Sequence, residues 1–361
     1  MMTTLQTSEL QACAFCIGGV SLRFSSGAEA VAVPRSLAMF RVQETAPDIA
    51  INVEWVPELP RSLGVRVFDS GCTWKLHDLG SDLQFDFYVG AATEKPHKRL
   101  VTDGSFSVAN LQISEEAGAL GLSVVPLDYP LDELLIMHRL TQEKAIELHG
   151  TGIVRPNGEA NLFVGHSGAG KSTTTRLWTA IEDVEVLSDD RIIVRRDEQP
   201  RMVPSAETLF GAPSASLRIS ARSSDAAQAP QLRLRDRSAV SIGHSAQDEK
   251  QIPRFARNDK KHKMRMYGTP WHGDAMFASP NNAPLTRIFV LEHGHGNVIT
   301  PLNPSQAVAE LFARSFVPFH RHEYVDSALV FLEELVDAVP VYRYAFEPDL
   351  RAVENLLHFR D

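Results

Sequence analysis

The stretch Ala160-Asn161-Leu162-Phe163-Val164-Gly165-His166-Ser167-Gly168-Ala169-Gly170-Lys171-Ser172-Thr173 decides how the rest of the chain is read. Ala160–Val164 is a short apolar run of buried-strand type that stops at Gly165. From Lys171 to Ile181 the spacing predicts a helix. Between them, Gly165–Ser172 fits G-x-x-x-x-G-K-[ST], the P-loop or Walker A pattern, with the strand before and the helix after that the pattern requires. Glycines let main-chain N–H groups curl around a phosphate without side-chain clash. The helix N-terminus adds unpaired donors and a positive dipole end. The expected nucleotide-binding set is therefore Gly165, Ser167, Gly168, Ala169, Gly170, Lys171, Ser172 and Thr173. Lys171 supplies charge for β- and γ-phosphates, and the Ser172 hydroxyl suits Mg²⁺.

Downstream, Val184-Glu185-Val186-Leu187-Ser188-Asp189-Asp190-Arg191 is an apolar strand ending in two carboxylates. Asp189 follows Lys171 by 18 residues, enough for one crossover helix and a turn. A right-handed connection sets the two strands side by side or one apart in a parallel sheet, with their C-terminal ends on one edge. There one of Asp189 and Asp190 can hold Mg²⁺ directly or through water and the other can take a proton from an attacking hydroxyl, with Arg191 placed to offset their mutual repulsion. The plainer alternative is a strand-end turn.

Upstream, Ile146–Val154 reads as a strand and Pro156-Asn157-Gly158 as a turn. The hairpin leaves His149, before Gly150, either near the phosphate edge or at the far end. Strand, turn, strand, loop, helix, strand is the grammar of an α/β nucleotide-binding core.

Residues 1–145 read as β-rich, with runs at Gly19–Phe24, Ile49–Val56, Leu63–Phe68 and Leu83–Val89, and a helix near Pro130–Lys144. No chemical constellation marks this half. Cys13 and Cys16 fall in a strand and read as small apolar residues, since no second pair completes a zinc site. Residues 146–361 read as the core, interrupted at 200–263 by a Ser-, Ala-, Gln- and Arg-rich insert. It carries 12 Lys+Arg against 6 Asp+Glu and two Phe. Its composition gives little to bury, so a disordered insert is expected; a basic nucleic-acid or lid segment is the sharper alternative. Order resumes with a strand at Met264–Tyr267 and the loop Gly268-Thr269-Pro270-Trp271-His272-Gly273. That loop either touches a ligand or turns with Trp271 inside. Then come Leu285–Glu292 as a strand, helices at Ser305–Phe316 and Asp326–Val336, a strand at Val341–Phe346, and a helix at Asp349–Phe359. His293 and His320-Arg321-His322 read as surface polar residues.

Composition sets the outer limits. The 361 residues carry a net charge of −9, which argues against a general nucleic-acid coat. Three Cys are too few for a disulfide framework, so a reducing cytoplasm is expected. No apolar run reaches membrane-spanning length and Met1–Leu10 carries no secretory signal.

On three features the chain resembles the HPr serine kinase/phosphorylase-like family: His149-Gly150, the loop Gly165–Thr173, and the close-following Leu187-Ser188-Asp189-Asp190-Arg191. The short gap from lysine to the acid pair is the specific part. The resemblance spans roughly 130–199 and 264–355. It implies a phosphoenolpyruvate carboxykinase/HPr kinase-type P-loop core that binds ATP and Mg²⁺. It also implies that one of Asp189 and Asp190 acts as base and that His149 lies near the transferred phosphate. Some relatives serve peptide-modification gene clusters. The family's R-G-L-G-[IL] segment, tied to phosphorolysis and to HPr, is absent, and residues 1–145 do not match its N-terminal domain. The expectation is an ATP-dependent kinase acting on a hydroxyl of a protein, peptide or small molecule, with Lys171, Asp189, Asp190 and His149 catalytic and Ser172 and Asp190 on the metal. Homo-oligomerisation is allowed. The alternatives are a nucleotide-binding regulatory protein without transfer, a carboxykinase-type small-molecule enzyme and, more weakly, a nucleic-acid-dependent ATPase.

Overall fold

Strand alternation in Ile49–Val56 sets the pattern of the first sheet. Ile49, Ile51 and Val53 point inward while Ala50, Asn52 and Glu54 face out, so one face is packed and the other wet. The computed structural model describes residues 12–27, 32–43, 46–89, 95–116, 125–197 and 263–360. These belong to one unit, Met1–Val203 with His262–Asp361. Apart from Lys263, the segment 200–263 expected to be a disordered insert lies outside the described residues.

The first sheet contains β1 (Ala12–Ile17), β2 (Val20–Ser26), β3 (Arg41–Val42), β4 (Ile49–Val56), β5 (Val65–Asp69), β6 (Trp74–Asp78), β7 (Asp82–Phe87), β8 (Lys98–Asp103) and β9 (Val108–Ser114). Its order is β3-β1-β2-β4-β9-β8-β7-β6-β5. The short helix α1 (Arg35–Ala38) precedes β3, and α2 (Leu131–Leu140) follows the sheet. Leu131, Leu134, Leu135 and Leu140 of α2 enter the same apolar core as Phe15, Phe24, Ile51 and Phe85. That core extends to Ile193, Trp271 and Tyr324 from the second half of the chain. In β1, Cys13 and Cys16 are three residues apart and so point to opposite faces. Burial pushes the Cys13 thiol up to about 11.

The second sheet is built on a long strand, β10 (Ala145–Val154). It continues with β11 (Ala160–Val164), β12 (Glu185–Ser188), β13 (Arg191–Arg196), β14 (Met264–Tyr267), β15 (Asn282–Pro284), β16 (Arg287–His293), β17 (Val298–Pro301), β18 (Ser315–Phe316) and β19 (Val341–Phe346). The order is β15-β14-β13-β10-β11-β16-β19-β17, with β12 and β18 also on β10. Its helices are α3 (Lys171–Ile181), α4 (Pro304–Phe312), α5 (His322–Ala338) and α6 (Leu350–His358). Successive residues of β11 feed opposite cores. Leu162 and Val164 pack with Leu311 of α4 and Leu332 of α5. Phe163 packs with Trp178 of α3 and Val353 of α6. Helices therefore cover both faces, which explains why Leu162–Val164 of β11 and Ile288–Leu291 of β16 are unbroken apolar runs.

The sheet is mixed rather than parallel. β11, β16 and β19 run parallel, while β11 and β12 both pair antiparallel with β10. β11 and β12 therefore point the same way, one strand apart. The helix expected over Ser305–Phe316 starts at a capping box between Asn303 and Gln306 and ends at Phe312. Its last residues turn back, and Ser315–Phe316 pair with Leu148 and Glu147 of β10. Among the described residues, no helix is long and apolar enough to cross a membrane.

Candidate functional site

The loop between β11 and α3 begins on the neighbouring strand. The Gly165 N–H bonds the His149 carbonyl at 3.2 Å, and the Ala169 N–H bonds the His166 carbonyl at 3.0 Å. Gly168 and Gly170 have φ of +81° and +102°. A Cβ on Gly170 would lie 2.5 Å from Cζ of Phe346, so both conformation and contact require glycine there. No side chain caps α3 at Gly170. The bond from the Thr174 N–H to the Gly170 carbonyl, at 2.8 Å, closes the first turn. The N–H groups of Lys171, Ser172 and Thr173 precede it, at the positive end of the helix. Thr175 ties α3 to β10 through Thr151, hydroxyl to hydroxyl, at 3.0 Å.

Lys171 is buried, and its Nζ donates to the carbonyls of Gly165 at 2.9 Å and His166 at 3.2 Å. Burial pulls its pKa below the ordinary value; Asp190 acts against this, while Arg191 and Arg314 add to it. Ser172 and Thr173 are half-buried, and His166, Ser167 and Gly168 stand exposed at the crest.

The two acids at the end of β12 have different surroundings. Asp189 is 1% exposed, and its carboxylate accepts main-chain N–H bonds from Gly273 (3.0 Å), Ala275 (2.8 Å) and Phe277 (3.2 Å). It organises the loop that follows β14. Thr269 and Trp271 of that loop are buried, Trp271 donating from Nε1 to Asp132 at 3.0 Å, while His272 is exposed. The turn with Trp271 inside is thus the arrangement found. Gly268 lies where the loop meets β12: a Cβ would sit 2.0 Å from the Ser279 carbonyl oxygen and 2.6 Å from that of Leu187. Because both obstacles are backbone, Gly268→Ala should cost more than about 3 kcal/mol. Chemical denaturation checks this, and a change under 1 kcal/mol would contradict it.

Asp190 faces the other way. Its Oδ1 lies 2.9 Å from His149 Nε2, and Arg191 Nη1 donates to its Oδ2. The side chain is 26% exposed. Burial alone would raise its pKa, but the His149 hydrogen bond and the charges of Arg191, His149 and Lys171 together hold it below the usual carboxylate range. Its main-chain carbonyl accepts the Gly150 N–H at 3.0 Å. His149 is the hub: its carbonyl starts the glycine loop, its ring meets Asp190, and its N–H bonds the Arg314 carbonyl at 2.8 Å.

The structure therefore gathers Lys171, Asp190, His149 and the glycine loop, and sets Asp189 behind them as a loop anchor. It also brings in residues that the sequence patterns pass over. Arg314 is held by Glu310 through its main-chain oxygen (2.7 Å) and its carboxylate (2.5 Å). Its charge is the leading cause of the lowered pKa of His166. His293, expected as a surface polar residue, is exposed, with Nε2 at 2.8 Å from the Gly168 carbonyl and its ring stacked on Phe346. His320, expected likewise, packs against His138 and Tyr324 with its Nε2 buried. β18 is two residues long and hidden inside a helical pattern, so nothing local signals Arg314. No family model matches the chain, and no curated protein matches it in sequence.

Proposed function

We propose that the protein is an ATP-dependent kinase that transfers the γ-phosphate to a hydroxyl acceptor, with ATP on the loop Gly165–Thr173 of a P-loop core of carboxykinase/HPr kinase type. The observation that carries this is the join made by His149, whose carbonyl accepts the Gly165 N–H of the glycine loop at 3.2 Å and whose Nε2 lies 2.9 Å from Asp190 Oδ1. The acceptor hydroxyl gives its proton to Asp190, its oxygen bonds to the γ-phosphorus, and the bridging P–O bond breaks to release ADP. Asp190 takes the base role because its side chain is 26% exposed, whereas Asp189 is 1% exposed and its carboxylate accepts three main-chain N–H bonds. His149 holds the Asp190 carboxylate in place. Lys171 and the α3 N-terminus offset phosphate charge, so catalysis is positioning and electrostatics.

The Ser172 hydroxyl and the Asp190 carboxylate would supply oxygen donors of the kind that suits Mg²⁺ arriving with phosphates. The ion would neutralise phosphate charge. Arg314 adds a second cation on the same side. Arg314→Ala should lower ATP turnover roughly 10–100-fold, whereas Arg314→Lys should recover part of it. Equal turnover in wild type and Arg314→Ala would remove Arg314 from the site.

The turn of Lys171 Nζ into its own loop favours a second reading, nucleotide binding without transfer. γ-Labelled ATP separates the two. Kinase action predicts label in a polypeptide or metabolite acceptor; ATP that binds but delivers label to no acceptor would support the second reading.

A further inference from the structure

Behind Asp190 lie two buried acids that phosphate transfer as described leaves without a task. Glu147 precedes His149 by two residues in β10 and so shares its face. It is 0% exposed, and neither of its oxygens accepts a hydrogen bond from a fixed donor. Glu133, in the first turn of α2, is 7% exposed. Both converge on one nitrogen: Arg191 Nε lies 2.7 Å from Glu133 Oε1 and 3.4 Å from Glu147 Oε1. The guanidinium carbon lies 4.0 Å from the ring centre of Phe316. Phe316 is itself paired with Glu147 across β10 and β18. The far nitrogen, Nη1, is the one on Asp190 Oδ2.

An arginine has five donors and a long flexible stem, and free to turn it would take a carboxylate with both prongs. Here the Nε edge is occupied from behind and the plane is held by an aromatic ring, so one prong reaches Asp190. The other oxygen of Asp190 stays with His149. We propose that Glu133 is a positioning residue of the phosphoryl-transfer site, holding Arg191 by Nε, with Glu147 packed behind the pair, so that Asp190 keeps the orientation in which Oδ2 meets Arg191 and Oδ1 meets His149. This rests on Asp190 being the proton acceptor.

The two acids contribute differently. Burial, then the adjacent Glu133, push the Glu147 carboxyl well above the ordinary range. Glu133 is the acid that accepts the Arg191 Nε hydrogen bond, at 2.7 Å. The groups facing Glu147 are Glu133 and Asp132 on α2, Arg191 on β13, and Tyr129 ahead of α2. Folding thus takes up a proton on Glu147. Its contribution to stability is complete below the ordinary glutamate value of 4.5 and declines as pH rises above it. Glu147→Gln, a neutral isostere, should lose this decline and gain on wild type in thermal stability as pH is raised.

The experiment compares wild type with Glu133→Ala, Glu133→Gln, Glu147→Gln and Arg191→Lys. MgATP turnover is followed together with exchange of the Arg191 Nε–H by NMR of ¹⁵N-arginine-labelled protein. Glu133→Ala and Arg191→Lys should lower kcat roughly 10–100-fold with KM for MgATP unchanged. Glu133→Gln, which still accepts from Nε, should restore kcat to within about threefold, and Glu147→Gln should stay near wild type. The Nε–H should be protected in wild type and exposed in Glu133→Ala. Full kcat in Arg191→Lys, or in Glu133→Ala with protection lost, would overturn the positioning role and leave the kinase reading standing. Protection unchanged in Glu133→Ala would overturn the clamp itself. A wild type that binds MgATP but never cleaves it would overturn the kinase reading, and the positioning role with it.

Discussion

Lys171→Ala is expected to lower ATP turnover roughly 10³-fold, the size seen when one preorganised charge or donor is removed from a transition state. Two features make this large. Lys171 is buried at the mouth of α3, where water screens its charge poorly. Its pKa is lowered chiefly by burial, so a nearby phosphate gains more from it than it would from a surface lysine. The bonds from Nζ to the Gly165 and His166 carbonyls hold it at the loop rather than in solvent. Thermal unfolding should move little, because the two carbonyls can take water instead. Steady-state ATP turnover beside a melting curve checks both statements. Turnover within threefold of wild type in a folded Lys171→Ala protein would remove the loop from the chemistry.

The second large effect separates the neighbouring acids. Asp190→Asn should lower kcat roughly 10²–10⁴-fold, the range for losing a positioned general base. Its stability should stay within about 1 kcal/mol of wild type, because a partly exposed ion pair contributes little. Asp189→Ala should do the reverse in stability terms. It strands three partly buried N–H groups, of Gly273, Ala275 and Phe277. At about 1–3 kcal/mol for each orphaned donor, and less than additively, a loss of roughly 3–5 kcal/mol is expected. Denaturant titration and single-turnover kinetics on the two variants decide the matter. A stable Asp189→Ala protein beside an unfolded Asp190→Asn protein would invert the assignment.

The pair also shows where sequence reading stops. Both acids fall in the bend between β12 and β13, and nothing local says which of them faces inward. The outcome is set by the loop after β14, which arrives from more than 80 residues away to donate its N–H groups. Ala160–Val164 and Lys171–Ile181, by contrast, are among the elements expected to the residue, because an apolar run, a glycine break and a helical period are all local signals. β13 was invisible for the opposite reason: three apolar residues between arginines do not stand out, yet β10 pairs with them. Glu133, Glu147, His293 and Arg314 carry no motif at all. They reach the glycine loop and the acid strand end through sheet order and helix packing, which no short window contains.

The most direct measurement is a crystal structure of the full chain with Mg²⁺ and a non-hydrolysable ATP analogue. The account predicts β- and γ-phosphates seated on the main-chain N–H groups of Gly165–Thr173, Lys171 Nζ turned onto them, and the γ-phosphorus facing Asp190 rather than Asp189. A triphosphate bound elsewhere, or seated on the loop with its γ-phosphate directed away from Asp190, would contradict it.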